Sequence, residues 1–123
     1  VAEANERVLV AVMIETVRGV GNAAVIAGTP GIDLVFIGTG DLALSLGSFP
    51  KPDPRHAESC RAVLAACRQA GTPCGIFTVT ADAALARARE GYDLVVVGND
   101  IGVVAGGFGG AVTRFAEARP QHG

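Results

Sequence analysis

Four short apolar runs punctuate the chain, each followed by a polar or glycine-bearing break and then by a segment with helical spacing. They are Val8–Ile14 (Val-Leu-Val-Ala-Val-Met-Ile), Leu34–Ile37, Cys74–Val79 and Asp93–Val97. Continuous runs of this length suit strands buried on both faces of a parallel sheet, since half-exposed strands alternate apolar with polar residues. Val17–Ala27 reads as a helix weakened by Gly19 and Gly21 and stopped by Thr29-Pro30-Gly31. A short helical turn is expected over Leu42–Leu46. A longer helix starts at Pro54, with Asp53 as its cap, and ends near Ala70 before Gly71. Its residues Ala57, Cys60, Val63, Leu64 and Cys67 recur at the three-and-four spacing of one buried face, and His56 is expected on the polar side of its start. Thr80 caps a helix over Ala81–Glu90, stopped by Gly91, and a glycine-rich helical tail spans Ile101–Ala118. Val1–Arg7 is polar and expected to be helical or frayed.

A strand followed by a helix, four times over, means an α/β architecture with right-handed parallel crossovers. Two layouts fit. One is a small open sheet of flavodoxin type. The other is half of a (β/α)8 barrel, whose usual length of about 250 residues is roughly twice this chain.

With 123 residues, half of them hydrophobic and 18% charged, the chain is a globular unit of at most one domain. A net charge of −2 and a single lysine, Lys51, leave no basic stripe for nucleic acid. The apolar runs are too short to span a bilayer, which takes roughly 20 residues, and none has the flanks of a signal peptide. Cys60, Cys67 and Cys74 are odd in number and form no Cys-x-x-Cys pair, which fits reduced thiols in a cytoplasmic protein better than disulfides or zinc. The first residue is Val1 rather than methionine.

The stretch with most chemical content is Leu34–Gly47, where an apolar strand breaks at Gly38-Thr39-Gly40 and Asp41 follows. Parallel α/β proteins place their chemistry just past the carboxyl ends of strands. Glu15 holds the equivalent place after the first run. Adjacent parallel strands lie about 4.8 Å apart, so both carboxylates can reach one point and, with water and substrate oxygens, hold a hard cation such as Mg²⁺ or Mn²⁺. The plainer alternative is that each acid caps the helix after it. Gly98-Asn99-Asp100 repeats the glycine-then-acid pattern. Gly38-Thr39-Gly40-Asp41-Leu42-Ala43 also fits a dinucleotide-binding pattern, but the next strand ends without the acid such a site needs. Gly106–Gly110 could be read as a phosphate loop, although packing of the tail accounts for it better. No serine, cysteine or histidine stands in a nucleophilic arrangement.

Val12-Met13-Ile14-Glu15-Thr16, Pro30-Gly31-Ile32-Asp33, Phe36-Ile37-Gly38-Thr39-Gly40-Asp41-Leu42 and Val97-Gly98-Asn99-Asp100 occur in one order that resembles the carboxyl-terminal half of the HpcH/HpaI aldolase/citrate lyase family. The resemblance runs from about Val8 to Ala118. It implies a partial barrel domain over residues 1–123 whose amino-terminal half is absent, from a family often assembled as hexamers. It further implies a carbon–carbon lyase of class II type, cleaving or condensing a 2-oxo acid and an aldehyde through a pyruvate enolate. Glu15 and Asp41 match the family's metal ligands, for Mg²⁺ or Mn²⁺ with Co²⁺ and Zn²⁺ as further candidates. Gly38, Thr39, Gly40 and Asp41 match the loop whose backbone holds the substrate carboxylate, and Phe77 falls beside the substrate. Two departures stand out. Met13 replaces a glutamine common in the family, and the family's histidine base and carbonyl-polarising arginine belong to the other half. No catalytic residue is therefore carried over, and the chain alone is expected to be weak or inactive. A non-catalytic nucleotide- or phosphate-binding module, or an interaction remnant, is the alternative.

Overall fold

The computed structural model describes residues 7–119; the expectation of a helical or frayed start falls mostly outside them. Strands β1 (Ala11–Ile14), β2 (Leu34–Ile37), β3 (Cys74–Phe77) and β4 (Leu94–Val96) form one parallel sheet in the order β1-β2-β3-β4. Each new strand adds to the same side of the last. A flavodoxin-type sheet reverses direction at a switch point, and this one does not. The sheet therefore runs as the wall of a barrel does, which decides between the two layouts.

The strands are shorter than the apolar runs that contain them, because pairing ends before hydrophobicity does. Val8–Val10 precede β1, with the Val10 carbonyl accepting from the amides of Asp33 and Leu34. Thr78 leaves β3 with both its amide and its hydroxyl donating to the Val96 carbonyl, each at 2.8 Å.

The expected helix over Val17–Ala27 is instead two, α1 (Val17–Gly21) and α2 (Ala23–Ala27). Asn22 makes the break: its amide donates to the carbonyls of Arg18 and Gly19, and its side-chain Nδ2 donates to Arg18 O at 2.8 Å. A side chain that satisfies the end of one turn lets the chain change direction without orphaned carbonyls. Helix α3 (Thr39–Ser45) starts three residues before the expected Leu42, so the glycine-bearing break is itself the first helical turn.

Helices α4 (Pro54–Ala70) and α5 (Ala81–Glu90) have the expected bounds. Asp53 accepts from the Arg55 amide at the start of α4, and Gly71 takes φ 72° at its end, the left-handed turn that glycine adopts without penalty. Thr80 and Gly91 do the same for α5. The last helix, α6, spans Asp100–Ala118.

One face of the sheet makes the core. Ile14, Val35, Ile37, Cys74 and Ile76 meet Ala23 and Ala27 of α2 and Cys60, Val63, Leu64 and Cys67 of α4. All three cysteines are buried and unpaired, and for Cys60 and Cys67 this is the packing role their helical spacing predicts. The opposite face carries Met13, Phe36, Gly75 and Leu94 in lateral register. No helix among the described residues covers it, and Met13 stays 57% and Leu94 45% exposed. Helix α6 buries none of its residues, and its stripe of Ile101, Val104, Phe108, Val112 and Phe115 faces solvent. No helix among the described residues is long and apolar enough to cross a membrane.

Candidate active site

The two ends of the sheet use their carboxylates differently. At the amino end, Asp33 just before β2 accepts from the Val10 amide at 2.8 Å, and Asp93 just before β4 accepts from the Cys74 amide at 2.9 Å. Each aspartate also donates its own amide to the adjacent segment, at Val10 O and Cys74 O. These acids close the starts of neighbouring strands. At the carboxyl end, Glu15 follows β1 and Asp41 lies in the first turn of α3, and among the described residues neither side chain has a hydrogen-bond or ion-pair partner.

Neither acid makes a side-chain cap bond, although Asp41 lies in the first turn of α3, where a carboxylate suits the helix dipole. Thr16 caps α1, its hydroxyl accepting from the Gly19 amide at 3.0 Å. Gly38 occupies the cap position of α3, and no side chain bonds there. Asn99, by contrast, caps α6 by accepting from Gly102 N at 2.7 Å, and the Asp100 carboxylate accepts from Ile101 N. The second glycine-then-acid sequence is thus spent on starting a helix.

Gly38 joins them. A Cβ at this residue would stand 2.9 Å from Glu15 Oε2, 3.0 Å from Glu15 Cβ and 3.1 Å from Met13 Sδ. Only a bare Cα lets the Glu15 side chain lie across the end of β2, three residues before Asp41. Met13 belongs to the open face of the sheet, so Glu15 approaches Gly38 from that side. The Gly38 amide donates to Ile14 O at 3.2 Å, which stitches the end of β2 to the end of β1.

Helix α3 is braced from three directions. Thr39 Oγ1 donates to Phe77 O at 3.2 Å. The Val17 amide, two residues past Glu15, donates to Ser45 Oγ at 3.0 Å. His56 Nε2 lies 2.9 Å from Thr39 O. Leu42 N to Gly38 O is the first bond of this helix, so the amides of Thr39, Gly40 and Asp41 precede its ladder and remain available to an acceptor.

His56 is where the sequence reading fails. The spacing places it on the polar side of the start of α4, yet it is only 9% exposed. The reason is tertiary: α3 folds back over the start of α4 and supplies the carbonyl that a buried imidazole needs. No local pattern signals this. Ser45 is missed likewise, because its partner lies 28 residues away.

A cavity of about 470 Å³ opens beside α3 and is lined by Thr39, Gly40, His56, Phe77 and Arg87 among others. Glu15 and Asp41 do not line it. Of the residues expected around a substrate, Thr39, Gly40 and Phe77 therefore border this cavity, while Glu15 and Gly38 meet on the open face. No group of three or more His, Cys, Asp or Glu side chains among the described residues converges as a ready-made metal cage. A cation at Glu15 and Asp41 would draw its other ligands from water and substrate, as Mg²⁺ commonly does.

Residues 1–106 match the family model described as HpcH/HpaI aldolase/citrate lyase. The chain belongs to the HpcH/HpaI aldolase/citrate lyase family. It is 42% identical over 118 residues to 4-hydroxy-2-oxovalerate aldolase of Rhodococcus jostii, covering 94% of this chain and 45% of that one. It is 35% identical to hydroxypyruvate/pyruvate aldolase of Chromohalobacter salexigens, covering 93% and 45%. Among solved structures, an HpcH/HpaI aldolase/citrate lyase family protein from Burkholderia cenocepacia superposes with a TM-score of 0.88 at 36% identity, covering 94% of this chain and 45% of that one. The chain thus spans somewhat under half the length of these relatives. Its four-stranded parallel sheet is a part of the family's barrel.

Proposed function

We propose that this chain carries the metal- and carboxylate-binding half of an aldolase that cleaves or forms the carbon–carbon bond between a 2-oxo acid such as pyruvate and an aldehyde. The observation that carries the proposal is the pair of unengaged carboxylates, Glu15 and Asp41, brought to neighbouring strand ends across Gly38. Their all-oxygen donor set suits Mg²⁺ or Mn²⁺, and less well the softer Co²⁺ and Zn²⁺. When bound, a divalent cation supplies positive charge against the negative charge that develops on the 2-oxo acid as the bond breaks. The chain's own contribution is to hold the two carboxylates at the mouth of the sheet and to present the amides of Thr39, Gly40 and Asp41 to a substrate carboxylate. Phe77, in the adjoining cavity, supplies an apolar wall beside it.

No described residue is positioned as a proton-transferring base or as a carbonyl-polarising arginine at this pair. The 123-residue chain alone is therefore expected to show little or no turnover. The uncovered apolar stripe of α6 and the open sheet face favour a homo-oligomer, a hexamer on the family pattern, and three unpaired buried thiols favour the cytoplasm.

The test is thermal unfolding with Mn²⁺, with and without pyruvate. We expect Mn²⁺ to raise the midpoint, pyruvate to raise it further, and both effects to vanish in Asp41→Asn, since only ligands that bind the folded state stabilise it. A rise with a dinucleotide in the absence of metal would instead favour the nucleotide-binding module.

A further inference from the structure

We propose that His56 is a positioning residue that holds the first turn of α3, and with it Asp41 and the neighbouring amides, in the geometry a cation and a carboxylate require. The inference rests on the two-carboxylate reading of the site but concerns a residue outside it.

The bonding scheme follows from the atoms. A carbonyl can only accept, so the 2.9 Å contact to Thr39 O makes Nε2 the protonated nitrogen. In the neutral ring Nδ1 is then bare, and it faces Cys60 Sγ at 4.0 Å, one helical turn along α4. Burial pushes the Cys60 thiol above its ordinary value, so it remains an S–H that can donate to Nδ1. The relay runs from the core, through Cys60 and His56, to the backbone of α3.

Helix α3 has seven residues, too few to hold its own ends in register without outside bonds. Two of its braces are peripheral to the Asp41 backbone: Ser45 anchors the far end, and Thr39 Oγ1 acts through a rotatable side chain. His56 alone of the three bonds a main-chain atom of the first turn. It is itself fixed, because its amide donates to Asp53 O at 3.0 Å in the capped start of α4. Groups that orient metal ligands commonly change affinity by about 10- to 100-fold when removed, and His56 would act on Asp41 through the backbone two residues before it.

The experiment compares His56→Gln and His56→Met, which match in length and differ in having a donor. Val63→Ala, a core truncation further along α4, controls for lost stability. Two readouts are taken on the whole chain: Mn²⁺ affinity by calorimetric titration, and hydrogen exchange of the Leu42 amide without metal. We expect His56→Met to weaken Mn²⁺ binding by about tenfold or more and to speed exchange at Leu42. His56→Gln should stay close to the parent in both, and Val63→Ala should leave Mn²⁺ affinity unchanged. If His56→Met keeps parental affinity and exchange, or if His56→Gln is as impaired as His56→Met, the positioning role is overturned. If the parent binds no Mn²⁺, or Asp41→Asn binds it equally well, the metal reading fails instead. The Leu42 exchange then still decides whether His56 fixes α3.

Discussion

The Glu15 carboxylate rests against the bare Cα of Gly38, where a Cβ would stand 2.9 Å from Oε2. A glycine at a strand end is often explained by a turn, but Gly38 has φ −80°, which any residue can adopt. Its requirement is for space. The requirement arises only because β1 and β2 are neighbours and the Glu15 side chain lies across the junction.

Gly38→Ala should therefore act on the site more than on the fold. The added methyl would displace Glu15 and Met13 Sδ, costing about 1–3 kcal/mol if the neighbours cannot yield. Both side chains are on the open side and can swing away, so stability should fall toward the lower bound. Mn²⁺ affinity should drop by more than that loss explains. Denaturant unfolding and metal titration of the same variant separate the two effects.

Glu15→Gln and Thr16→Ala form a contrasting pair of neighbours. Thr16 is the cap of α1, and its loss should cost about 1 kcal/mol. Glu15 caps nothing, so its neutralisation should change stability by under about 0.5 kcal/mol while removing the response to Mn²⁺. A reversed order in urea unfolding would return Glu15 to a structural role.

The thiols of Cys60, Cys67 and Cys74 should resist a disulfide reagent in the native protein and react together on unfolding. All three lie within the core; the Cys67 contact, and then burial, raises the Cys74 thiol, burial raises the Cys60 thiol, and the Cys74 contact lowers the Cys67 thiol, which only its burial shields from the reagent. Rapid labelling of any one under native conditions would contradict this packing.

Tyr92 sets an alkaline limit on stability. Its hydroxyl donates to Cys60 O at 3.2 Å, and burial raises it above its ordinary value of 10.0. A folded-state value above the unfolded one contributes stability that is complete below pH 10 and lost as pH rises from there toward the folded-state value. Tyr92→Phe should cost about 0.5–1.5 kcal/mol at neutral pH for the lost bond. It should also flatten the decline above pH 10 that Tyr92 contributes. Urea midpoints across pH 7–11 would show both.

Phe108 and Phe115 stand on the uncovered stripe of α6, each 72% exposed. Replacing both with serine should shift the chain toward monomer in sedimentation and leave the melting of the sheet unchanged. Unaltered association would move the contact to the open face around Met13 and Leu94.

Much of this was legible in the sequence because it is local. The Asp53-Pro54 start and Gly71 end of α4, the Thr80 cap and Gly91 end of α5, and the run Leu34–Ile37 all follow from neighbours in the chain. The buried face of Cys60, Val63 and Cys67 follows from helical period alone. The candidate pair, Glu15 and Asp41, was visible as acids after apolar runs, and family motifs sharpened it.

What the sequence could not supply depends on groups distant along the chain. Asn22 breaks a helix that periodicity would continue, because its side chain can serve the carbonyl that the helix gives up. His56 reads as a solvated residue until α3 brings Thr39 O to it across 17 positions. The same dependence separates one acid from another. Asp33, Asp93 and Asp100 carry the same carboxyl group as Asp41, and the first two also flank strands. Pattern determined where the strands and carboxylates fall; tertiary contact decided that Asp33 and Asp93 were consumed by backbone amides of a neighbouring segment and that Glu15 and Asp41 were left without partners among the described residues. The physical reason is that a carboxylate's role is set by the donors within reach of it, and in a parallel sheet those donors come from the neighbouring strand.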